Sequence, residues 1–223
     1  MTKKKLLLIG LGLAAAGVAV YLIKRKNYSS FFGLFKKKNP FPNKVLFVGD
    51  SITAESPYTY PSYIKSAYPN MLIERVAKPG MTTDWMRKNL PSKLNQSWDR
   101  VYIYGGVNDA FNTSVSQSTT LANIQAMVDL AKKNGAKPYV ITGIEPVGYM
   151  DYKKMPTTRY ITKKEGFIPL IERYKQLQNA IPRTIKGATI VPKFQISGNM
   201  TSDGIHPSGS GQQIMAQKII NTF

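Results

Sequence analysis

The stretch at residues 44–53, KVLFVGDSIT, sets four apolar residues, Val45 to Val48, directly before Gly49-Asp50-Ser51. A short, unbroken, partly β-branched run of this kind reads as a strand buried on both faces of a parallel sheet. The glycine lets the backbone turn tightly, and the serine is then presented at the sheet's edge. The same pattern recurs in MLIERVA (71–77), RVYIY (100–104), PYVIT (138–142) and ATIV (188–191). Helical spacing lies between these runs. Leu121, Ile124, Val128 and Ala131 share one face, and Asn134-Gly135 supplies the stop. Leu170, Ile171, Tyr174, Leu177 and Ile181 form a second face, with Pro169 near its start and Pro182 at its end. Met215, Ala216, Ile219, Ile220 and Phe223 make a last helix. Five strands alternating with helices predict a three-layer α/β/α sandwich around a mostly parallel sheet. In such sheets ligands sit outside the carboxyl ends of the strands.

Composition narrows the chemistry. The chain has 223 residues, no cysteine and a single histidine, His206. Disulfides, thiolate metal sites and cysteine nucleophiles are excluded, and a catalytic zinc site built on several imidazoles is not expected. The reading requires no metal and no cofactor.

The residues with chemistry fall where the sheet rule puts them. Gly49-Asp50-Ser51-Ile52-Thr53 follows the first strand, and Lys78-Pro79-Gly80-Met81-Thr82-Thr83 the second. Gly105-Gly106-Val107-Asn108-Asp109 follows the third, and Asp203-Gly204-Ile205-His206-Pro207-Ser208 precedes the last helix. In this order, spread over nearly all of residues 44–223, the four segments resemble the four blocks of the SGNH (GDSL-type) hydrolases. The resemblance implies a flavodoxin-like sheet and a serine esterase. Ser208 stands where many members carry asparagine, a departure of little chemical weight.

The chemistry needs these residue types on its own terms. A serine hydroxyl is a poor nucleophile until a base within hydrogen-bond reach takes its proton. His206 is the one imidazole that can do so for Ser51. Asp203, three residues earlier, is expected to reach Nδ1, hold the tautomer and stabilise the imidazolium. The N–H groups of Ser51 and Gly80 and the side-chain amide of Asn108 are the expected oxyanion donors. Asp50 and Asp109 are expected to bond neighbouring backbone rather than to do acid–base work. The stretch 143–167 is expected to overhang the site as a lid or substrate loop, with Lys153, Lys154, Arg159, Lys163 and Lys164 able to meet an anionic substrate.

Residues 1–43 read differently. Leu6 to Ile23 is an 18-residue run without a charge, flanked by Lys3-Lys4-Lys5 and Lys24-Arg25-Lys26. It reaches about 27 Å as a helix, enough for a thin hydrocarbon core. The apolar run continues past Ala14-Ala15-Ala16, which favours an uncleaved single-span anchor over a cleaved signal. The expected organisation is an anchor at 1–23, a basic and aromatic linker at 24–43, and a hydrolase domain at 44–223. The formal charge is +19; nine of the basic residues and no acid lie in 1–43, leaving 22 basic and 12 acidic residues beyond, or +10. Next to a bilayer, anionic headgroups are the simplest partner for such a surface. No nucleic-acid-binding motif is present. The expected partners are an acyl-ester substrate, on an envelope glycan or a lysolipid, and the membrane through residues 6–23. The basic residues around the span lean towards a cytoplasmic domain, whereas hydrolysis of envelope esters calls for an extracytoplasmic one, which is the side expected here. The competing reading is a membrane-tethered binding or structural protein that keeps the fold without turnover.

Overall fold

The computed structural model describes residues 41–54, 56–146, 164–196 and 205–223. The proposed span at 6–23, most of the linker, Asp203 and the central part of the expected lid lie outside them. Among the described residues no helix is long and apolar enough to cross a membrane.

The five expected strands form one parallel sheet: β1 (Lys44–Gly49), β2 (Leu72–Ala77), β3 (Arg100–Ile103), β4 (Lys137–Ile141) and β6 (Thr189–Val191), in the order β2-β1-β3-β4-β6. The chain leaves β1 towards β2 on one side and then crosses to β3 on the other. The carboxyl ends of β1 and β3 therefore border a topological switch point, the usual crevice of such sheets.

Alternation along β1 sorts the core. Leu46 and Val48 face one layer with Val101, Ile103 and Val140, against Met86, Ile124, Met127, Val128 and Ile181. That layer is built from α2 (Thr83–Asn89), α4 (Gln117–Lys133) and α5 (Lys164–Thr184). Phe47, one residue out of phase, points the other way. Its ring meets Tyr60 edge-on at 5.4 Å and stacks with Tyr102 at 5.3 Å; Tyr102 stacks in turn with Tyr139 at 4.6 Å. This aromatic layer is covered by α1 (Tyr60–Ala67) and α6 (Gly209–Ile220). Such tilted and offset pairs add to their area burial by about 0.5–1.5 kcal/mol each. At the amino-terminal edge of the sheet, buried Arg100 fixes the end of the chain. Its guanidinium donates to the carbonyls of Thr222 and Phe223 and lies 5.4 Å from the Phe223 ring centroid.

Three features depart from the sequence reading. A second, two-stranded parallel sheet joins β5 (Ile144–Pro146) to β7 (Phe194–Ile196). It was hidden because three-residue strands carry no readable periodicity. The expected loop at 143–167 is thus strand at its start and helix at its end. Pro169 is the sixth residue of α5 rather than its start, and Pro182 lies inside its last turn. A proline forgoes its own helical hydrogen bond, and a long helix packed along one face absorbs that loss. Contacts of the domain also begin slightly before Lys44. The Phe41 ring lies 5.2 Å from that of Tyr68, and the Asn43 N–H donates to Asp99 at 2.6 Å.

Candidate active site

The loop after β1 folds back at once. The Asp50 carbonyl accepts from the N–H groups of Thr53 (3.1 Å) and Ala54 (2.8 Å), closing a single tight turn around Ser51. Gly49 makes this possible: a Cβ there would overlap Thr53 Oγ1 and lie 3.0 Å from the Tyr104 carbonyl. Ser51, half-buried, places its Oγ 2.8 Å from His206 Nε2. The two residues are 155 positions apart in sequence. At this distance the hydroxyl can donate to an imidazole unprotonated at Nε2, which is the starting arrangement for proton removal.

The histidine loop is held against the serine loop by a side chain that sequence reasoning overlooked. Gln212, in the first turn of α6 and only 5% exposed, accepts from the Tyr60 N–H at 2.9 Å. The same amide donates to the Ile52 carbonyl at 3.3 Å. One amide thus joins the His206-bearing and Ser51-bearing segments. Its only sequence signal is a glutamine on the buried side of the last helix, in a position that apolar residues otherwise occupy.

The loops after β2 and β3 flank Ser51 on either side, because β2 and β3 are the two neighbours of β1. Gly80 adopts a left-handed conformation (φ 76°) that an L side chain rarely takes, and it is exposed. Asn108 opens α3 (Val107–Phe111), and its amide donates to the Met81 carbonyl at 3.0 Å. An amide has two N–H bonds, so this contact orients Asn108 and leaves a second donor. Asp109 does not bond its sequence neighbours as expected. It reaches across to Thr83, accepting from its N–H at 2.9 Å and from its hydroxyl at 2.5 Å. Thr120 Oγ1 adds a third bond at 3.3 Å, and Asn123 donates to Thr83 Oγ1 at 3.2 Å. The pairing wins over local backbone because both partners are buried, where an unmet carboxylate is costly. Its result is to lock the Gly80 loop to the Asn108 loop.

Asp50 meets the expectation only in part. Its Oδ1 accepts from the Ile52 N–H at 3.0 Å, but Oδ2 has no hydrogen-bond partner among the described residues, and the residue is fully buried. Burial pushes its carboxyl up to about 7, against the opposing pull of the Ile52 bond and the positive charge of His206. Around it stand buried hydroxyls: Tyr60 bonds Thr53 at 2.9 Å, and Tyr104 bonds Tyr174 at 3.1 Å. Burial raises all three phenols above their usual value, so they stay neutral.

Of the residues singled out in the sequence, Ser51 and His206 are in contact, and Gly80 and Asn108 occupy the loops on either side. Asp203 lies outside the described residues, as do Lys153, Lys154, Arg159 and Lys163.

Comparison with known proteins bears on the family and the fold. A family model described as the GDSL-like lipase/acylhydrolase family matches residues 47–214. No curated protein matches the chain. Among solved structures, a GDSL-like lipase from Bacteroides thetaiotaomicron is 22% identical, with a TM-score of 0.58, covering 88% of this chain and 95% of its own. A lipolytic protein of the G-D-S-L family from Desulfitobacterium hafniense is 17% identical (TM-score 0.58; 81% and 99% covered). An acetylxylan esterase from Geobacillus stearothermophilus is 18% identical (TM-score 0.55; 80% and 93% covered). At these identities the likeness is one of fold.

Two outcomes follow from the geometry. Gln212→Leu keeps the bulk but strands the Tyr60 N–H and the Ile52 carbonyl, which should cost about 1–3 kcal/mol of stability. Turnover of a soluble ester should fall roughly 10- to 100-fold through misalignment; unchanged turnover in the folded variant would remove Gln212 from the site's support. For Asp50, the folded chain holds a proton that the unfolded chain releases near pH 4. Between about pH 4 and 7 its contribution therefore falls as pH rises, and above 7 the full penalty stands. Asp50→Asn, which cannot ionise, should gain melting temperature relative to wild type at pH 8 and gain least at pH 4. Equal differences at both values, read from thermal melts, would show that burial does not hold the proton.

Proposed function

The chain belongs to the GDSL-like lipase/acylhydrolase family, whose members are serine hydrolases acting on esters, and on that premise we propose that it removes short O-acyl groups through an acyl-enzyme. The observation that carries this reading is the 2.8 Å approach of Ser51 Oγ to His206 Nε2. His206 takes the Ser51 proton as Oγ attacks the ester carbonyl, and the proton then passes to the departing alcohol. Water, deprotonated by the same imidazole, releases the acid and restores Ser51. Asp203 orients the imidazole through Nδ1. The oxyanion is received by the N–H groups of Ser51 and Gly80 and by the free amide hydrogen of Asn108.

The substrate is an acyl ester on an envelope glycan or a lysolipid. One neighbour in fold, the Geobacillus protein, is an acetylxylan esterase, which favours a short acyl group on a sugar. Residues 6–23 anchor the chain in the membrane, and the +10 domain beyond residue 43 stays close to anionic headgroups. The domain lies on the extracytoplasmic side, where such esters are found.

Ser51→Ala and His206→Ala should each lower turnover of a chromogenic acetyl ester by about 10⁴- to 10⁶-fold, and the double variant should be hardly worse, because the pair acts as one unit. Losses that multiplied, or a Ser51→Ala protein that kept its turnover, would end this reading. Labelling by a fluorophosphonate should vanish with Ser51. Protease applied to intact cells should degrade the domain; full protection would place it in the cytoplasm instead.

A further inference from the structure

We propose that Asp50 is a positioning residue for the base: a second carboxylate that acts on His206 through buried charge rather than through contact. The inference rests on His206 serving as the base for Ser51.

Asp50 immediately precedes Ser51, is fully buried, and carries one oxygen with no partner among the described residues. A buried oxygen left in this way is costly, and an asparagine at the same place would remove the cost of the charge. The carboxylate is present all the same. Among the described residues, the charged and titratable groups that act on Asp50 are His206, which draws it towards the anion, and Asp109, which opposes this. Asp109 is already engaged by Thr83 and Thr120. Tyr60, Tyr104 and Tyr174 feel the Asp50 charge from α1, from the end of β3 and from α5. Their phenols stay protonated and contribute no charge of their own. Among the described residues, the cation that answers Asp50 is thus the imidazolium of His206.

Such an interaction is reciprocal: whatever His206 does to the ionisation of Asp50, Asp50 does to that of His206. When Ser51 attacks the ester, the Oγ–H bond breaks as an Nε2–H bond forms, Oγ bonds the acyl carbon, and the carbonyl π pair moves onto its oxygen. The ester C–O bond then breaks and the departing alcohol takes the proton from Nε2. No proton passes to or from Asp50 in this step. Its anion makes the imidazolium less costly, because the burial of Asp50 weakens screening on its side of the pair. Burial raises the Asp50 carboxyl to about 7, within the range where a change of charge on its neighbour alters its ionisation.

The single histidine makes the test direct, because one imidazole signal belongs to one residue. In the full-length chain labelled with ¹³C at histidine, the His206 midpoint should fall by roughly half a unit to one unit in Asp50→Asn. The acid limb of kcat/KM on a soluble ester should move down with it, and kcat should drop. A purely structural Asp50 would alter melting temperature and leave the midpoint in place, and an unmoved or raised midpoint overturns the proposal. If Asp50→Asn does not fold, wild type decides. The Asp50 carboxyl carbon should titrate near neutrality and His206 should show two inflections; a carboxyl titrating near pH 4 beside a simple histidine curve overturns it. The midpoint is read without turnover. A Ser51→Ala protein that stayed active would therefore sink the nucleophile assignment and leave this measurement to be judged by itself.

Discussion

A 2.8 Å contact between a serine hydroxyl and an imidazole, 155 residues apart, is the interaction to which the rest of the molecule is fitted. Neither partner can find the other locally. Ser51 is placed by the end of β1, and His206 by the loop that enters α6. The distance survives only if α6 is fixed on the sheet, and it is fixed at both ends. Gln212 ties its first turn to the Ser51 loop, and Arg100 clasps the carbonyls just beyond its last. Between them, Met215 and Ile219 are fully buried. The aromatic layer of Phe47, Tyr60 and Tyr102 makes the contact surface stiff, since close-packed rings transmit position rather than absorb error.

The floor of the site is polar where a stability optimum would be apolar. Asp50, the Tyr104–Tyr174 pair and the Asp109–Thr83–Thr120 cluster are all buried. Asp109 recovers its desolvation through three bonds that cross-link loops. Asp50 recovers its own only in part, through Ile52. Two acids at the same sheet edge therefore have different characters: one is a structural staple, the other a group held near its ionisation point. The difference comes from the number of donors each meets, because both are buried.

Much of the fold and site could be read from the order of residues. Five apolar runs alternate with helical spacing, and burying a strand on both faces leaves few other arrangements. The site residues are legible for a related reason. A parallel sheet sends the carboxyl end of every strand to one edge, so a Ser after β1, a Gly after β2 and an Asn after β3 must be neighbours. His206, as the chain's one imidazole, had no competitor for the role of base. What escaped was short or long-range. The β5–β7 pair is too brief to show a period, and the helix that carries Pro169 starts before its apolar pattern does.

The amino-acid sequence by itself therefore determined the layer architecture, the sheet edge that carries chemistry and the identities of Ser51, Gly80, Asn108 and His206 as candidates. These depend on patterns of period and position that act locally or through strand direction. Only the tertiary structure decided that Gln212 bridges the two halves of the site, that Asp109 staples Thr83 and that Asp50, next to Ser51, keeps an oxygen with no partner among the described residues. Those outcomes depend on which donors meet which acceptors across 26 to 160 residues. A hydrogen bond of that reach leaves no trace in the spacing of a chain, because it is set by tertiary packing rather than by local period.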